Sequence, residues 1–362
     1  MRVLIAGGGT GGHLYPGIAV AEELMRRDES HVVTFVGTAR GLESRAVPAL
    51  GYGLDLIRSA GLKGKSLGAL VRGLGLLPLS ALDAWQVLSR RRPEVVVGVG
   101  GYSSGPVLLL AALRGIPTLL MEQNTAPGFT NRRLARWVRA AAVSYAETLP
   151  FFPGTGFVSG NPVRREFLRY AEAENDPVSP HGPVRVLIMG GSQGARAIND
   201  AAVAAVPLAA ARGPLLAVTH QTGERDLAGV RERYVRADVT ATVEAFFHDL
   251  DARMHAADIV VARAGASTLA ELTVLGRASV LVPLPTAADD HQRRNARVLA
   301  SAGAAEVIDE TELSGERLAQ ALVALASDAA RRARMAAAAR ILGRPDAAAR
   351  VADRIVTLAG SR

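Results

Sequence analysis

Several segments of this chain combine glycines, hydroxyls and titratable groups at spacings that suit phosphate chemistry. Gly7-Gly8-Gly9-Thr10-Gly11-Gly12-His13 follows a short apolar run. Glycines between a strand and a helix let backbone N–H groups approach a phosphate at the helix N-terminus. The run contains GxGxxG, which alone points to a dinucleotide oxidoreductase, a chemistry that wants an acid at the end of the second strand to hold a ribose. That strand ends Phe35-Val36-Gly37-Thr38, with no acid, so the loop suits another phosphate-bearing ligand. His13, one residue past the glycines, is placed either to take a proton or meet a phosphate, or simply to cap a helix start. Gly98-Val99-Gly100-Gly101-Tyr102-Ser103-Ser104-Gly105-Pro106 is a second such loop, and Gly190-Gly191-Ser192-Gln193-Gly194-Ala195 a third, with Ser192 able to donate to a pyrophosphate. Each taken alone also reads as a tight turn where only glycine lets strand and helix pack.

The sharpest pattern runs from Asp258 to Glu271: a buried strand, then Arg263-Ala264-Gly265-Ala266-Ser267-Thr268-Leu269-Ala270-Glu271. Amides and hydroxyls at that helix start suit phosphate oxygens, and Glu271 one turn in suits both hydroxyls of a ribose or, more plainly, complements the helix dipole. Asp289-Asp290-His291-Gln292-Arg293-Arg294-Asn295-Ala296 offers amide and imidazole groups to sugar hydroxyls. As a metal site it is weak, because adjacent residues diverge on a helix, and a helix start with acidic caps is expected instead. Met121-Glu122-Gln123-Asn124 ends a strand with three polar side chains, and Arg164 in Ser159-Gly160-Asn161-Pro162-Val163-Arg164 suits a phosphate. Lys63 and Lys65, Arg72 and the run Leu74, Leu76, Leu77 to Trp85 join cations to apolar residues, which fits either an interfacial membrane contact or a buried loop and helix.

The elements that must position these residues show as a repeat. Arg2-Val3-Leu4-Ile5-Ala6-Gly7-Gly8-Gly9 returns as Arg185-Val186-Leu187-Ile188-Met189-Gly190-Gly191-Ser192, close to half a chain later. Each copy is the first βα unit of a doubly wound α/β domain, so two such domains in tandem are expected. Strands are expected at 31–36, 94–99, 118–121 and 140–143, and again at 215–219, 239–243, 258–262 and 279–282, with helices between. The Pro-rich stretch 172–183 reads as a linker, giving domains 1–163 and 164–345, and the helix after Gly343-Arg344-Pro345, about 346–362, is free by sequence to pack back on the first domain. Such sheets bind ligands beyond the carboxyl ends of their strands, so the expected site is a cleft faced by both domains.

Composition narrows the function classes. The 362 residues are 49% hydrophobic and 21% charged, without cysteine, which excludes disulfides, thiolate metal sites and cysteine nucleophiles. A net charge of +8 suits anionic partners. With 4% aromatic residues and no basic block interleaved with stacking rings, nucleic acid is not expected. The opening Met1-Arg2-Val3-Leu4-Ile5-Ala6 reads as a buried strand rather than a signal peptide, and residues 67–82 are too interrupted to span a bilayer of ~20 residues.

Taken in order, the glycine loops, Glu-Gln-Asn, Gly-Asn-Pro-Val-Arg, Gly-Gly-Ser-Gln-Gly-Ala, Arg-x-Gly-Ala-x-Thr-x-x-Glu and Asp-His-Gln-x-x-Asn-Ala resemble the MurG family of bacterial peptidoglycan N-acetylglucosaminyltransferases over nearly the whole chain. The resemblance implies the two-domain GT-B fold, an N-terminal acceptor and membrane domain and a C-terminal donor domain. It implies transfer of N-acetylglucosamine from UDP-N-acetylglucosamine to undecaprenyl-pyrophosphoryl-N-acetylmuramoyl-pentapeptide (lipid I), making lipid II, with inversion and without cofactor or required metal. By the same resemblance Glu271 meets the ribose, Ser192 and Ala266, Ser267, Thr268, Leu269 and Ala270 the pyrophosphate, Gln292 the sugar and the Phe247 backbone the uracil. Thr10, Gly11, Gly12, Asn124 and Arg164 belong to the donor sugar and phosphate side. Gly9, His13, Gly100, Gly101, Tyr102 and Ser103 face the acceptor, and the patch after Lys63 meets the membrane. Of the candidate bases for the acceptor hydroxyl, His13 comes first and Glu122 second. The implied place is the cytoplasmic face of the bacterial inner membrane, as a peripheral protein on an anionic surface, in company with cell-wall synthesis and division proteins.

Met121 stands where that family usually has a histidine, so no base role exists at that position, and Phe247 replaces what is often a smaller apolar residue. The competing enzyme readings are a related GT-B glycolipid glycosyltransferase, such as a diacylglycerol glycosyltransferase, and a UDP-sugar epimerase. The non-enzyme reading is a UDP-sugar-binding membrane scaffold subunit, which predicts donor binding without turnover.

Overall fold

The computed structural model describes residues 1–59, 76–171, 182–191 and 194–360. The chain divides into two compact units, Met1–Arg164 with Arg344–Arg362, and Arg165–Gly343. In the first unit β1 (Arg2–Gly7), β2 (Val32–Gly37), β3 (Gly53–Leu56), β4 (Val95–Gly100), β5 (Thr118–Glu122), β6 (Ala140–Val143) and β7 (Gly156–Val158) form one sheet in the order β3-β2-β1-β4-β5-β6-β7. Its helices are α1 (Gly11–Arg27), α2 (Glu43–Ala49), α3 (Leu77–Arg91), α4 (Ser104–Leu113) and α5 (Phe129–Leu134).

The second unit holds α6 (Arg165–Leu168), β8 (Val184–Met189), α7 (Arg196–Ala210), β9 (Leu216–Gln221), α8 (Leu227–Arg236), β10 (Ala241–Glu244), α9 (Leu250–Ala256) and β11 (Ile259–Ala262). It continues with α10 (Ala266–Leu275), β12 (Ala278–Leu281), α11 (His291–Ser301), β13 (Glu306–Val307), α12 (Gly315–Ala326) and α13 (Ala329–Leu342). The sheet order is β10-β9-β8-β11-β12-β13. Every pairing in both sheets is parallel.

The sequence repeat has its structural counterpart here, since β1 and β8 hold the same place, each flanked by the next strand on one side and by the strand three further on the other. Both units are therefore Rossmann-like. The eight strands expected from sequence are present within two residues at each end; β3, β7 and β13, of two to four residues, were not expected. They are too short to show a period.

Strand alternation builds the two faces of the first sheet. Val3, Ile5, Val97, Leu119 and Met121 join a buried cluster with α1, while Leu4, Val96 and Leu120 pack with Val107, Leu108 and Leu88 on the other face. The helix α14 (Ala347–Gly360) belongs to the first unit. It presents Val351, Ala352, Ile355 and Leu358 at helical spacing to the α1 cluster, and Arg27 donates to Asp353 at 2.6 Å. Ile355 is fully buried and contributes about 1.5–3 kcal/mol to this docking.

Candidate active site

In the first unit the two glycine loops press backbone on backbone. Gly101 has φ +82°, and a side chain there would strike the Gly8 carbonyl; at Gly7, φ +143°, it would strike the carbonyl of Gly100. Gly8 N–H donates to Gly100 O at 3.3 Å. Beneath the loop lies Glu43, 1% exposed, at the start of α2. Its Oε2 accepts from Gly9 N at 2.6 Å and its Oε1 from Thr38 N at 2.8 Å. An acid thus does reach the end of β2, but it is buried and both of its oxygens accept from the protein's own groups.

The amides of Gly8 and Gly9 are consequently committed within the protein, which takes Gly9 N–H out of the set expected to meet the acceptor. The groups left at this helix start are the first-turn amides of α1 at Gly11 and Gly12, which have no acceptor within a helix. The N-cap Thr10 makes no side-chain capping bond and no acid stands in that turn. Gly11 abuts the Tyr15 ring, and the Arg164 guanidinium lies 4.9 Å over the same ring. Arg164 is in this way held beside the start of α1.

His13, half-buried, points Nδ1 at Gln123 Oε1, 3.3 Å away. Glu122, 2% exposed, accepts from Asn124 N at 3.0 Å, Asn124 Nδ2 at 3.2 Å, Gly128 N at 3.1 Å and Asn131 Nδ2 at 2.8 Å. A carboxylate has about four lone-pair sites, and all are taken, so Glu122 is not available as a base. It shapes the turn and orients the Asn124 amide instead. Ser103 is buried and Gly100 lies under the His13 ring, which leaves Gly101 and Tyr102 as the outward-facing members of their loop.

In the second unit α10 begins at the N-cap Gly265 with no side-chain cap and no acid in its first turn. Ser267 Oγ is buried and has no partner among the described residues. Uncapped amides, the positive end of the helix dipole and an unsatisfied hydroxyl together suit an anion. Glu271, 5% exposed, follows one turn later. Ahead of α11, Asp289 and Asp290 both have left-handed backbone, φ +54° and +55°, a sparsely populated conformation for non-glycine residues. Asp290 occupies the N-cap without a side-chain bond, so the expected acidic cap is not made. Gln292 Oε1 accepts from Leu284 N at 3.0 Å, which leaves its amide hydrogens for a ligand. Phe247 is buried under Arg253, 4.2 Å above its ring.

The turn after β8 is met by a neutral amide, and the network behind it ends on a carboxylate, since Asn199 Nδ2 donates to Asp226 Oδ2 at 2.8 Å. Gln221 Nε2 donates to Gly191 O at 3.2 Å. Behind it a buried chain runs from Tyr234 Oη through His220 to Asn199, with His220 Nδ1 3.0 Å from the phenol and Nε2 3.1 Å from Asn199 Oδ1. Burial lowers the His220 pKa to about 4, so the ring is neutral at pH 7. Among the described residues no three His, Asp or Glu are grouped to hold a metal.

Residues 3–143 match the glycosyltransferase family 28 N-terminal domain, and residues 185–351 match the family 28 C-terminal domain. The chain belongs to glycosyltransferase family 28. A family member from Myxococcus xanthus, named UDP-N-acetylglucosamine:N-acetylmuramyl-(pentapeptide) pyrophosphoryl-undecaprenol N-acetylglucosamine transferase, is 48% identical over 99% of this chain and 93% of its own length. The crystal structure of Acinetobacter baumannii MurG is 30% identical, with TM-score 0.79 over 98% of this chain and 99% of that one. A UDP-GlcNAc 2-epimerase from Neisseria meningitidis is 13% identical with TM-score 0.70, covering 99% of this chain and 100% of that one, a likeness of fold alone.

Among the expected family 28 site residues, Ser192, Lys63, Lys65 and Leu74 lie outside the described residues. Leu76 is half-buried, whereas Leu77 and Trp85 are exposed on α3 beside Leu79 and Leu82, with Arg114 4.6 Å over the Trp85 ring. Sequence reasoning missed Glu43, the His220 chain and the contact between Gln123 and His13. A lone acid six residues beyond β2 carries no periodic signal, and the other two depend on pairings 21 and 110 residues apart.

Proposed function

We infer that this chain transfers N-acetylglucosamine from UDP-N-acetylglucosamine to lipid I, giving lipid II of peptidoglycan synthesis. The observation that carries this is the near-complete coverage of a transferase named for that reaction, at 48% identity through both family 28 domains.

In the proposed mechanism the second unit binds the donor. The first-turn amides of α10 and Ser267 hold the diphosphate, Glu271 the ribose hydroxyls, Gln292 the sugar, and the backbone at Phe247 the uracil. The first unit handles the acceptor, with Gly101 and Tyr102 near its pyrophosphate, and it offers the Gly11 and Gly12 amides to the donor sugar and phosphates. The muramoyl 4-hydroxyl oxygen attacks the anomeric carbon opposite the leaving diphosphate, and its proton passes to His13. The C–O electron pair departs with UDP, whose charge is met by Arg164 and by the start of α10. Displacement from the opposite face inverts the anomeric centre. Positive charge comes from the protein, so no metal enters the reading.

The acceptor is a lipid, and the reading places the protein as a peripheral visitor to the cytoplasmic face of the inner membrane. Support comes from the exposed Leu77, Leu79, Leu82 and Trp85 with the Arg114 cation beside them. No described helix is long and apolar enough to cross a membrane. Replacing Trp85 by Glu should reduce sedimentation with anionic vesicles.

The test of function is transfer of labelled N-acetylglucosamine from its UDP donor to a short-chain lipid I analogue with EDTA present, the product's anomeric configuration being read by NMR. A β-linked disaccharide is expected. Donor binding without transfer would instead support a binding subunit.

A further inference from the structure

We propose that Gln123 is the positioning residue that decides which nitrogen of His13 takes the acceptor proton. The proposal rests on His13 being the base. Gln123 sits just beyond β5 and is 2% exposed. Its Nε2 donates to Val99 O in β4 at 3.0 Å. Reversing the amide would bring two acceptors together there, so the network fixes Oε1 as the atom facing His13. That oxygen lies 3.3 Å from His13 Nδ1. An acceptor facing Nδ1 selects the tautomer with hydrogen on Nδ1 and leaves the Nε2 lone pair to receive a proton. The ring is held from below as well, because a side chain at Gly100 would collide with it.

The proton balance follows from this arrangement. The acceptor O–H breaks, its proton binds Nε2 as the oxygen bonds to the anomeric carbon, and the imidazolium keeps donating through Nδ1 to Gln123. UDP leaves with its electron pair. In Glu122-Gln123-Asn124 the three polar side chains thus have separate roles: Glu122 orients Asn124, and Gln123 orients His13.

The test uses full-length protein with 15N-labelled histidine, the His13 signals being assigned as those missing in His13→Gln. Wild type should show a protonated Nδ1 and a pyridine-type Nε2. Gln123→Met should give mixed tautomers and lower kcat by about 10- to 100-fold, with the KM for UDP-N-acetylglucosamine within about twofold. Gln123→Glu loses the same donor to Val99 O but keeps an oxygen facing Nδ1, so it should recover most of the turnover. Equal damage in the Met and Glu variants would overturn the proposal, since the loss would then come from Val99. A wild-type His13 protonated on Nε2 would also overturn it, as would a Gln123→Met protein with unchanged tautomer and turnover. Full turnover in His13→Gln would remove the base reading and the role of Gln123 with it. That failure is distinguishable because the wild-type tautomer is read separately from activity.

Discussion

The turn after β1 and the turn after β8 occupy the same place in their sheets, yet a buried carboxylate holds the first and neutral amides hold the second. Glu43 accepts from Gly9 N, while Gln221 donates to Gly191 O. A negative charge 2.6 Å from a loop amide cancels much of that amide's attraction for phosphate. The amides of Gly8 and Gly9 are thereby committed within the first unit, and those at the start of α1 stay open to an anion. In the second unit the neutral Gln221 amide meets the turn, the nearest carboxylate of the network, Asp226, is reached only through Asn199, and the start of α10 is uncapped and free of first-turn acids, which suits an anion. One topology, duplicated, therefore carries a carboxylate directly under its glycine turn in one unit and a neutral amide there in the other, a difference that fits the proposed division between proton transfer and diphosphate binding.

Breaking the carboxylate bracing should have the largest effect on stability. Glu122→Ala strands two backbone donors, leaves the buried Asn131 Nδ2 only the Met121 carbonyl, and should cost about 3 kcal/mol or more. Both tryptophans, Trp85 and Trp137, lie in the first unit, so tryptophan fluorescence during urea unfolding follows that unit alone.

The neutral bracing has a pH signature. His220 binds its proton with a pKa of about 4 in the fold, against about 6.5 unfolded, so the unfolded state holds more protons between these values. Stability of the second unit should be full above about pH 6.5 and fall by about 3 kcal/mol as pH drops through 4. Hydrogen exchange of residues 184–262 measures this, and His220→Gln should flatten the pH dependence. A smaller effect is expected from Glu43→Gln, which turns one acceptor oxygen into a donor against the amides of Gly9 and Thr38 and should cost about 1–3 kcal/mol, again by tryptophan fluorescence.

Much of this was legible in the sequence because it is local or periodic. The repeat of Arg2–Gly9 at Arg185–Ser192 announced two sheets, and short apolar runs placed eight further strands within them. The glycine loops and the start of α10 were visible for the same reason, since strand-to-helix turns of this kind are contiguous in sequence. Hydrogen-bond occupancy was not visible. Glu122 stands beside Gln123 and looks the better catalyst, but only the fold brings Asn131 and Gly128 back to fill its lone pairs. Gly9 likewise looks open in sequence until α2 delivers Glu43 beneath it.

The most direct test of the division between the units is a paired measurement: calorimetric titration with UDP-N-acetylglucosamine and single-turnover transfer to a lipid I analogue, in His13→Gln and Glu271→Ala. The account predicts that His13→Gln binds donor within about twofold of wild type and transfers about 10²- to 10⁴-fold more slowly. Glu271→Ala should bind donor about 10- to 100-fold more weakly and transfer at near wild-type rate once saturated. Loss of donor affinity in the His13 variant with full turnover at saturation, or an unaffected donor affinity in the Glu271 variant, would contradict it.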